Sequence, residues 1–299
     1  MLNETNLPSI KALRTFLAVA NNLSFSKAAK QLFVTQSAVS KNIALLEQQL
    51  GQPLFNRHLS GIELSAAGEQ YLPKVSEALE IIQYATENLT QIDHEEEVLT
   101  VNVTPSFASL WLIPRIETFH HLNENIHIRI KTGDGMIKRT HGDSDITIRC
   151  LPISKHYENA TLLRQENLML IASTELLQHN PINKIKDIEK QTFIPHITRP
   201  HLWEQFKRQN ELRYDSLYSS TGFEHFYMSL EAVKDNLGLA LIPDFMLEET
   251  LAEGRLINPL NISMNTSYGY YLFVPSYRLS SRKIYQFSQW ITAMLGKEQ

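Results

Sequence analysis

The sequence predicts an α/β protein in two parts: a small helical head on a long helix, then a larger body of alternating strands and helices. Three observations carry this. Through the first fifty residues apolar side chains recur at helical spacing, each run preceded by a polar capping residue. A single helical pattern then runs from Ser65 to about Ile92, and from Val98 onward short β-rich runs alternate with helical ones. At 299 residues the chain exceeds one comfortable core, so two or three domains are expected.

Composition narrows the class. Hydrophobic residues make up 43% and charged residues 20%, a balance that argues against a disordered, collagen-like or membrane-embedded chain. No apolar run approaches the ~18–20 residues that cross a bilayer, and no basic-plus-apolar stretch reads as a secretory signal. The one cysteine, Cys150, allows no internal disulfide and fits a reducing, cytoplasmic setting. A net charge of −4 speaks against nucleic acid until it is divided. Residues 1–64 hold Lys11, Arg14, Lys27, Lys30, Lys41 and Arg57 against Glu4, Glu47 and Glu63, a net of +3 that leaves −7 for the remainder. A mildly basic head on an acidic body suits a DNA-binding module joined to a small-molecule domain. Chance clustering would look the same, so the residue pattern has to decide.

In the head, Ser9 is placed to cap a first helix whose apolar positions are Ile10, Leu13, Phe16, Leu17 and Ala20, ended by Asn21-Asn22-Leu23-Ser24. Ser26 is expected to cap a short second helix through Ala28, Ala29 and Leu32. Thr35 caps a longer third one with inner face Ala38, Val39, Ile43, Leu46 and Leu50, stopped by Gly51 and Pro53. Two helices joined by a turn of about 3–4 residues make a helix-turn-helix, whose second helix brings its N-terminal residues to base edges in the major groove. Thr35, Gln36, Ser37, Ser40 and Lys41 face outward there. Gln pairs bidentately with adenine, and hydroxyls and Lys suit bases or phosphate. The alternative is a solvated polar face on an ordinary three-helix bundle.

Leu54-Phe55-Asn56-Arg57 and Ile62-Glu63-Leu64, with Ser60-Gly61 between them, read as a hairpin, which makes the module a winged helix. Arg57 then sits where it can meet a phosphate or the minor groove, although taken singly it reads as a solvated side chain. The candidate DNA-binding set is Ser26, Lys30, Thr35, Gln36, Ser37, Ser40, Lys41 and Arg57. Ser65 caps the long helix, in which Gly68, Leu72, Val75, Leu79, Ile82, Thr86 and Leu89 are separated alternately by four and three residues. That heptad seam suggests a second copy of the chain, with packing on its own domain as the alternative. Pro73 is expected to kink the helix. Paired heads would read half-sites one helical turn apart.

These residues carry a family resemblance. Phe16-Leu17-Ala18-Val19-Ala20, Leu23-Ser24-Phe25-Ser26-Lys27-Ala28-Ala29, Val34-Thr35-Gln36-Ser37-Ala38-Val39-Ser40-Lys41, Leu46-Glu47, Leu50-Gly51, Leu54-Phe55-Asn56-Arg57 and Leu64-Ser65-Ala66-Ala67-Gly68 together resemble the DNA-binding head of LysR-type transcriptional regulators. The resemblance implies a winged helix-turn-helix on double-stranded promoter DNA and a homodimer through the linker helix. It also implies a homotetramer of two dimers, with RNA polymerase as a further candidate partner. The family often carries basic residues at the positions of Ala44, Ser60 and Glu63. Without them each head is expected to bind DNA more weakly and with less salt dependence.

Asp93-His94-Glu95-Glu96-Glu97 reads as a charged hinge. Beyond it, strands are expected at Val98–Thr104, Ile126–Ile130, Asp145–Arg149, Leu168–Ala172 and Leu237–Ile242, with helices at Phe107–Phe119, His201–Gln209 and Phe223–Asp235. A last strand, Tyr268–Val274, and a helix, Ser281–Leu295, return to the first subdomain. The alternation implies mostly parallel sheets in two lobes with a ligand cleft at the carboxyl ends of strands. The expected division is 1–64 for the DNA-binding domain, 65–92 for the linker helix, 93–97 for the hinge and 98–299 for the effector domain. Its first lobe would take about 98–166 and 268–299, its second about 167–267.

Pro105-Ser106-Phe107-Ala108 with Trp111-Leu112-Ile113-Pro114-Arg115, Asp145-Ile146-Thr147-Ile148-Arg149, Glu231-Ala232-Val233 with Leu237-Gly238-Leu239-Ala240, and Ala252-Glu253-Gly254-Arg255-Leu256 resemble the glycine-cleavage and β-lactamase regulator branch of that family. This implies a two-lobed effector domain like a periplasmic binding protein. Thr104 and Ser106 end a strand and open a helix, where free N–H groups welcome an anion or carbonyl, and Phe107 adjoins them. Arg149 can supply a counter-charge. Thr198, Trp203, Phe223, Tyr227 and Tyr270 complete the effector-binding candidates, with core packing as the alternative for the aromatics, Trp203 and Phe107 first. For Ser106 plain N-capping is compatible with ligand binding. Cys150 reads as buried filling rather than a redox sensor, since it lacks a resolving partner.

No catalytic arrangement is found: no Gly-rich phosphate loop and no Gly-x-Ser-x-Gly elbow. His120-His121 diverge on a helix, and His196 and His201 lack a third ligand, so neither a metal nor a cofactor is expected. The reading is a cytoplasmic transcription regulator whose effector is an amino acid, a cell-wall fragment or a small carboxylate. Its closer alternative is an effector-independent regulator of the same fold, and its distant one an enzyme fused to a DNA-binding head.

Overall fold

The computed structural model describes residues 7–58, 61–90, 96–134, 144–212 and 217–296. They form two compact units, one from Leu7 to Thr90 and one from Glu96 to Gly296.

In the first unit α1 (Ile10–Asn22), α2 (Phe25–Gln31) and α3 (Gln36–Leu50) pack around Phe16, Val19, Ala28, Val39, Ile43 and Leu46. Ser9 accepts from the Ala12 amide and Thr35 from the Ala38 amide, and Gly51 closes α3 at φ 67°, as their positions in the sequence predict. One cap differs. Ser24, not Ser26, accepts from the Lys27 amide. That start puts Phe25 inside the helix, where its ring meets Phe55 edge-on at 6.1 Å, and leaves the Ser26 hydroxyl on the outer face.

The wing strands β1 (Phe55–His58) and β2 (Gly61–Leu64) pair antiparallel; Ser60 lies outside the described residues. The carboxylate of Glu47 accepts from the Leu54 and Phe55 amides at 2.8 and 3.2 Å and so ties α3 to the wing. Ser65 caps α4 (Ala66–Thr90) through the Gly68 amide and donates to the Pro53 carbonyl. Pro73 lies inside α4. Gly68 is where this helix crosses the Leu54 carbonyl: a Cβ there would stand 2.2 Å from that oxygen. The heptad seam therefore divides. Gly68, Leu72, Val75 and Leu79 pack on the head's own core, whereas Ile82, Thr86 and Leu89 are exposed. Asp93, His94 and Glu95 of the expected hinge lie outside the described residues.

The second unit opens with β3 (Glu97–Val103), then α5 (Pro105–Phe107), a π-helical turn (Ala108–Leu112) and α6 (Ile113–Leu122). β4 (Ile126–Thr132) and β5 (Ile146–Pro152) flank β3, both parallel to it. β6 (Ala160–Ser173), α7 (Thr174–His179), β7 (Thr192–Phe193), α8 (Leu202–Gln209), β8 (Leu217–Tyr218), α9 (Phe226–Lys234), β9 (Ala240–Pro243), α10 (Glu248–Ala252) and β10 (Leu256–Ile257) follow. β11 (Ser263–Phe273) and α11 (Arg282–Gly296) complete the body. The main sheet runs β10-β6-β11-β5-β3-β4, with β9 also on β6.

The expectation of mostly parallel sheets is corrected: β5–β11, β11–β6, β6–β9 and β6–β10 are all antiparallel. The cause is that β6 is one long strand rather than a new one starting at Leu168, and β11 returns beside it. A strand that passes from one lobe to the other and a strand that comes back must run in opposite directions. Leu163 on β6 belongs to a first core with Val101, Phe107, Trp111, Phe287 and Trp290. Leu168 and Leu170 belong to a second with Phe193, Trp203, Phe206 and Ile242. Between the two cores the ladder breaks: Asn265 pairs with Asn167 and Gly269 with Gln165, which leaves Thr266, Ser267 and Tyr268 opposite Glu166.

Candidate DNA-reading face and inter-lobe site

The head gathers its candidate residues at the start of α3. Ser26 on α2 donates to the Gln36 side-chain carbonyl at 2.9 Å, and the Thr35 and Ser37 hydroxyls share a hydrogen bond at 3.0 Å. Lys30, one turn beyond Ser26, and Lys41, one turn beyond Ser37, are exposed; Ser40 is half-buried. Arg57 leaves the wing with its guanidinium 4.9 Å from the centre of the Phe25 ring, a cation–π contact that tethers it to α2. The described wing strands hold one acidic residue. Glu63 on β2 bonds His58 at 2.9 Å and Asn56 at 3.5 Å, and these hydrogen bonds hold its carboxyl below the usual carboxylate range. Glu63 pairs across the wing with Asn56 and Arg57 with Ile62, so the acid and the guanidinium take opposite faces of the hairpin.

The body brings some of its candidates together and leaves others in its cores. Thr104 precedes α5 without capping it, and Ser106 Oγ accepts from the Tyr227 amide at the start of α9 at 3.4 Å. Two strand-to-helix turns, one from each lobe, thus meet. Arg149 on β5 donates to the Asn102 and Ile148 carbonyls and, at 2.6 Å, to the Asn102 side-chain oxygen, while its buried Nε has no partner among the described residues. Burial lowers this guanidinium's pKa, with Asp134 opposing the shift. Thr198 bonds His196 Nδ1 at 3.2 Å and reaches the Glu224 carbonyl. Tyr227 stacks on His225, whose Nδ1 lies 3.6 Å from Asp134.

Trp203, Phe107 and Tyr270 are core residues. Trp203 stacks on Phe193 at 4.2 Å and donates to the Ile194 carbonyl. Phe107 and Tyr270 share one aromatic cluster with Trp111 and Phe245, and burial pushes the Tyr270 phenol well up. Phe223 is half-buried against the second core.

Sequence reasoning missed the most heavily bonded group in this region. Glu166, with no exposed surface, receives both ends of the Arg199 guanidinium at 2.7 Å, the Thr266 hydroxyl at 2.8 Å and the Cys150 thiol at 3.5 Å. Burial works against the Arg199 charge, but the hydrogen bonds and charge of Glu166 outweigh it and leave Arg199 above its ordinary value. Arg199 also lies over the Tyr268 ring at 4.6 Å. Burial, then Arg199 and His225, depress His196 to about 3. Burial and Glu166 push the Cys150 thiol well up, which makes it a poor nucleophile. The available signal was Arg164-Gln165-Glu166-Asn167, four polar residues interrupting a long β-rich run at the crossing between lobes.

Residues 10–69 match the family model for the bacterial regulatory helix-turn-helix protein, lysR family, and residues 93–296 match that for the LysR substrate binding domain. The chain belongs to the LysR family. Among its relatives, this LysR-family chain is 33% identical over 294 residues to the glycine cleavage system transcriptional activator of Escherichia coli (strain K12), covering 98% of the chain and 96% of the relative. It is 31% identical to the HTH-type transcriptional activator AmpR of Providencia stuartii, with 96% and 97% covered. It is thus related to the glycine-cleavage and β-lactamase regulator branch. ArgP from Mycobacterium tuberculosis shares the fold over 97% of both chains, at 18% identity and a TM-score of 0.67. CrgA from Neisseria meningitidis shares it over 96% of this chain and 99% of its own, at 21% identity and 0.53. A LysR-family chain is a DNA-binding regulator with an effector-binding domain, not an enzyme. Among the described residues no group of three or more His, Cys, Asp or Glu could hold a metal ion, and no helix is long and apolar enough to cross a membrane.

Proposed function

We propose that the chain reads promoter DNA through the N-terminal turn of α3 and that a small effector in the cleft of its C-terminal domain sets how it does so. The division at 64, 92 and 97 assigns DNA reading to the head, pairing of copies to the distal part of α4, and sensing to residues 98–299. It acts in the cytoplasm as a homodimer or a homotetramer of two dimers, within reach of RNA polymerase.

The observation that carries the DNA reading is the exposed cluster of Ser26, Thr35, Gln36, Ser37 and Lys41, flanked by Lys30 and Arg57. It combines a bidentate base reader with hydroxyl and cationic phosphate contacts on one helix start. For the effector, the meeting of Ser106 and Tyr227 and the unpartnered Arg149 Nε support an anionic or carbonyl-bearing ligand. The names of two relatives, a glycine cleavage system transcriptional activator and a carbapenem-hydrolyzing β-lactamase transcriptional activator, suit an amino acid, a cell-wall fragment or a small carboxylate. A ligand there acts only through different affinity for two arrangements of the protein.

Transcription from the promoter next to the chain's own gene tests the effector half. A Ser106→Ala or Thr104→Val protein should lose response to whichever amino acid, cell-wall fragment or carboxylate shifts the parent's thermal midpoint. Full response in both variants removes the strand-to-helix site. An identical promoter output with every such compound replaces the reading by an effector-independent regulator.

A further inference from the structure

Phe33 occupies the turn between α2 and α3 and is 96% exposed, the most open large apolar residue among those described. Its backbone is left-handed, at φ 55°, a conformation that is an outlier for a bulky residue and free of cost only for glycine. The turn does not need this side chain. It is held by the Phe33 amide on the Lys30 carbonyl at 3.3 Å and the Val34 amide on the Ala29 carbonyl at 3.0 Å, and both bonds are main-chain. The side chain is absent from the head's core. Folding alone would thus favour glycine here, and an exposed aromatic held at a cost points to a use.

Its surroundings say what the ring meets. Phe33 lies two residues before the Thr35 cap and three after the exposed Lys30. Between Glu4 and Glu47 the sequence has no acidic residue, while Lys11, Arg14, Lys27, Lys30 and Lys41 all fall in that span. A polyanion is a partner this charge pattern accepts, and a basic surface is one it repels. The geometry points to Phe33 as a DNA-contacting residue that lays its ring on the deoxyribose of the phosphate backbone beside the recognition helix. The contact is apolar and carries no charge. It therefore adds affinity on every sequence and leaves the salt dependence to the lysines.

The inference rests on the DNA reading proposed above, and the test keeps the two apart. Full-length parent, Phe33→Gly, Phe33→Ala, Phe33→Tyr and Lys41→Ala proteins are titrated against a labelled duplex from the intergenic DNA upstream of the gene. The same titrations use a scrambled duplex of equal length, over a range of salt, with thermal unfolding of each protein in parallel. Phe33→Gly and Phe33→Ala should weaken both duplexes about five-fold, with an unchanged salt slope, and Phe33→Tyr should bind as the parent does. The Phe33→Gly midpoint should equal or exceed the parent's, because the left-handed turn is relieved. Parent affinity in both Phe33→Gly and Phe33→Ala overturns the inference, and so does weaker binding accompanied by a lower midpoint. A parent that binds neither duplex overturns the DNA reading itself.

Discussion

The Ser26 hydroxyl and the Gln36 side-chain carbonyl are joined at 2.9 Å across the helix-turn-helix. Both side chains are otherwise exposed, so this bond sets the amide plane of the glutamine that opens α3, a residue type suited to reading a base bidentately. Pre-orientation lowers the entropy cost of the contact. Ser26→Ala should reduce discrimination among single base substitutions in the bound half-site by about 1 kcal/mol, with less effect on scrambled DNA. Gln36→Ala should lose the same discrimination outright, and adding Ser26→Ala to it should cost little more. Additive losses in a mobility-shift series would show that the two act separately.

The Glu166–Arg199 pair is buried on the carboxylate side and bonded at both ends. Removing one partner of such a pair strands a charge, at a cost of about 3–5 kcal/mol, whereas replacing both with apolar groups is far milder. Glu166→Gln should thus lower the unfolding free energy of the body by about 3 kcal/mol, and Glu166→Leu with Arg199→Met should recover most of it. Urea unfolding of the parent and these two variants reads this directly. A single substitution without effect would mean that the pair does not hold this crossing of β6 and β11.

His196 provides a pH signature. Its folded-state value of about 3 lies below the usual 6.5, so between those limits the unfolded chain binds a proton that the folded one does not. Stability is fully present above about pH 6.5 and declines as pH falls toward 3, at about 1.4 kcal/mol per pH unit. Comparing parent with His196→Gln at pH 7 and pH 5 should show the parent losing about 2 kcal/mol more. Equal losses would mean that His196 titrates normally.

Ile82 and Leu89, 46% and 71% exposed, continue the α4 seam beyond the part that packs on the head. Ile82→Glu or Leu89→Glu should lower the mass seen by sedimentation while leaving head folding intact, since neither touches that core. The equivalent change at Val75 should instead unfold the head. An unchanged mass in both distal variants would place pairing elsewhere.

Local features were legible in the sequence and distant ones were not. Ser9, Thr35 and Gly51 declare helix ends because a cap acts within three or four residues. Ser24 and Ser26 flank Phe25, and only the packing of that ring on Phe55 decides between them. In the body the strand–helix alternation could be read. The antiparallel pairing could not, because it depends on β11 meeting β6 about a hundred residues away. Glu166 and Arg199 are likewise 33 residues apart. Trp203, Phe107 and Tyr270 have the composition of a ligand site or of a core, and their burial in the two cores could not be read from the sequence.

The central claim is that α3 reads promoter DNA, with Gln36 on a base and Lys41 on phosphate. Titration of the upstream duplex with parent, Gln36→Ala and Lys41→Ala proteins across a range of salt tests it most directly. The account predicts that Lys41→Ala weakens all sequences and lowers the salt slope by about 1, and that Gln36→Ala keeps the slope but relaxes preference at one base pair. Parent-like affinity, slope and preference in both variants would contradict it.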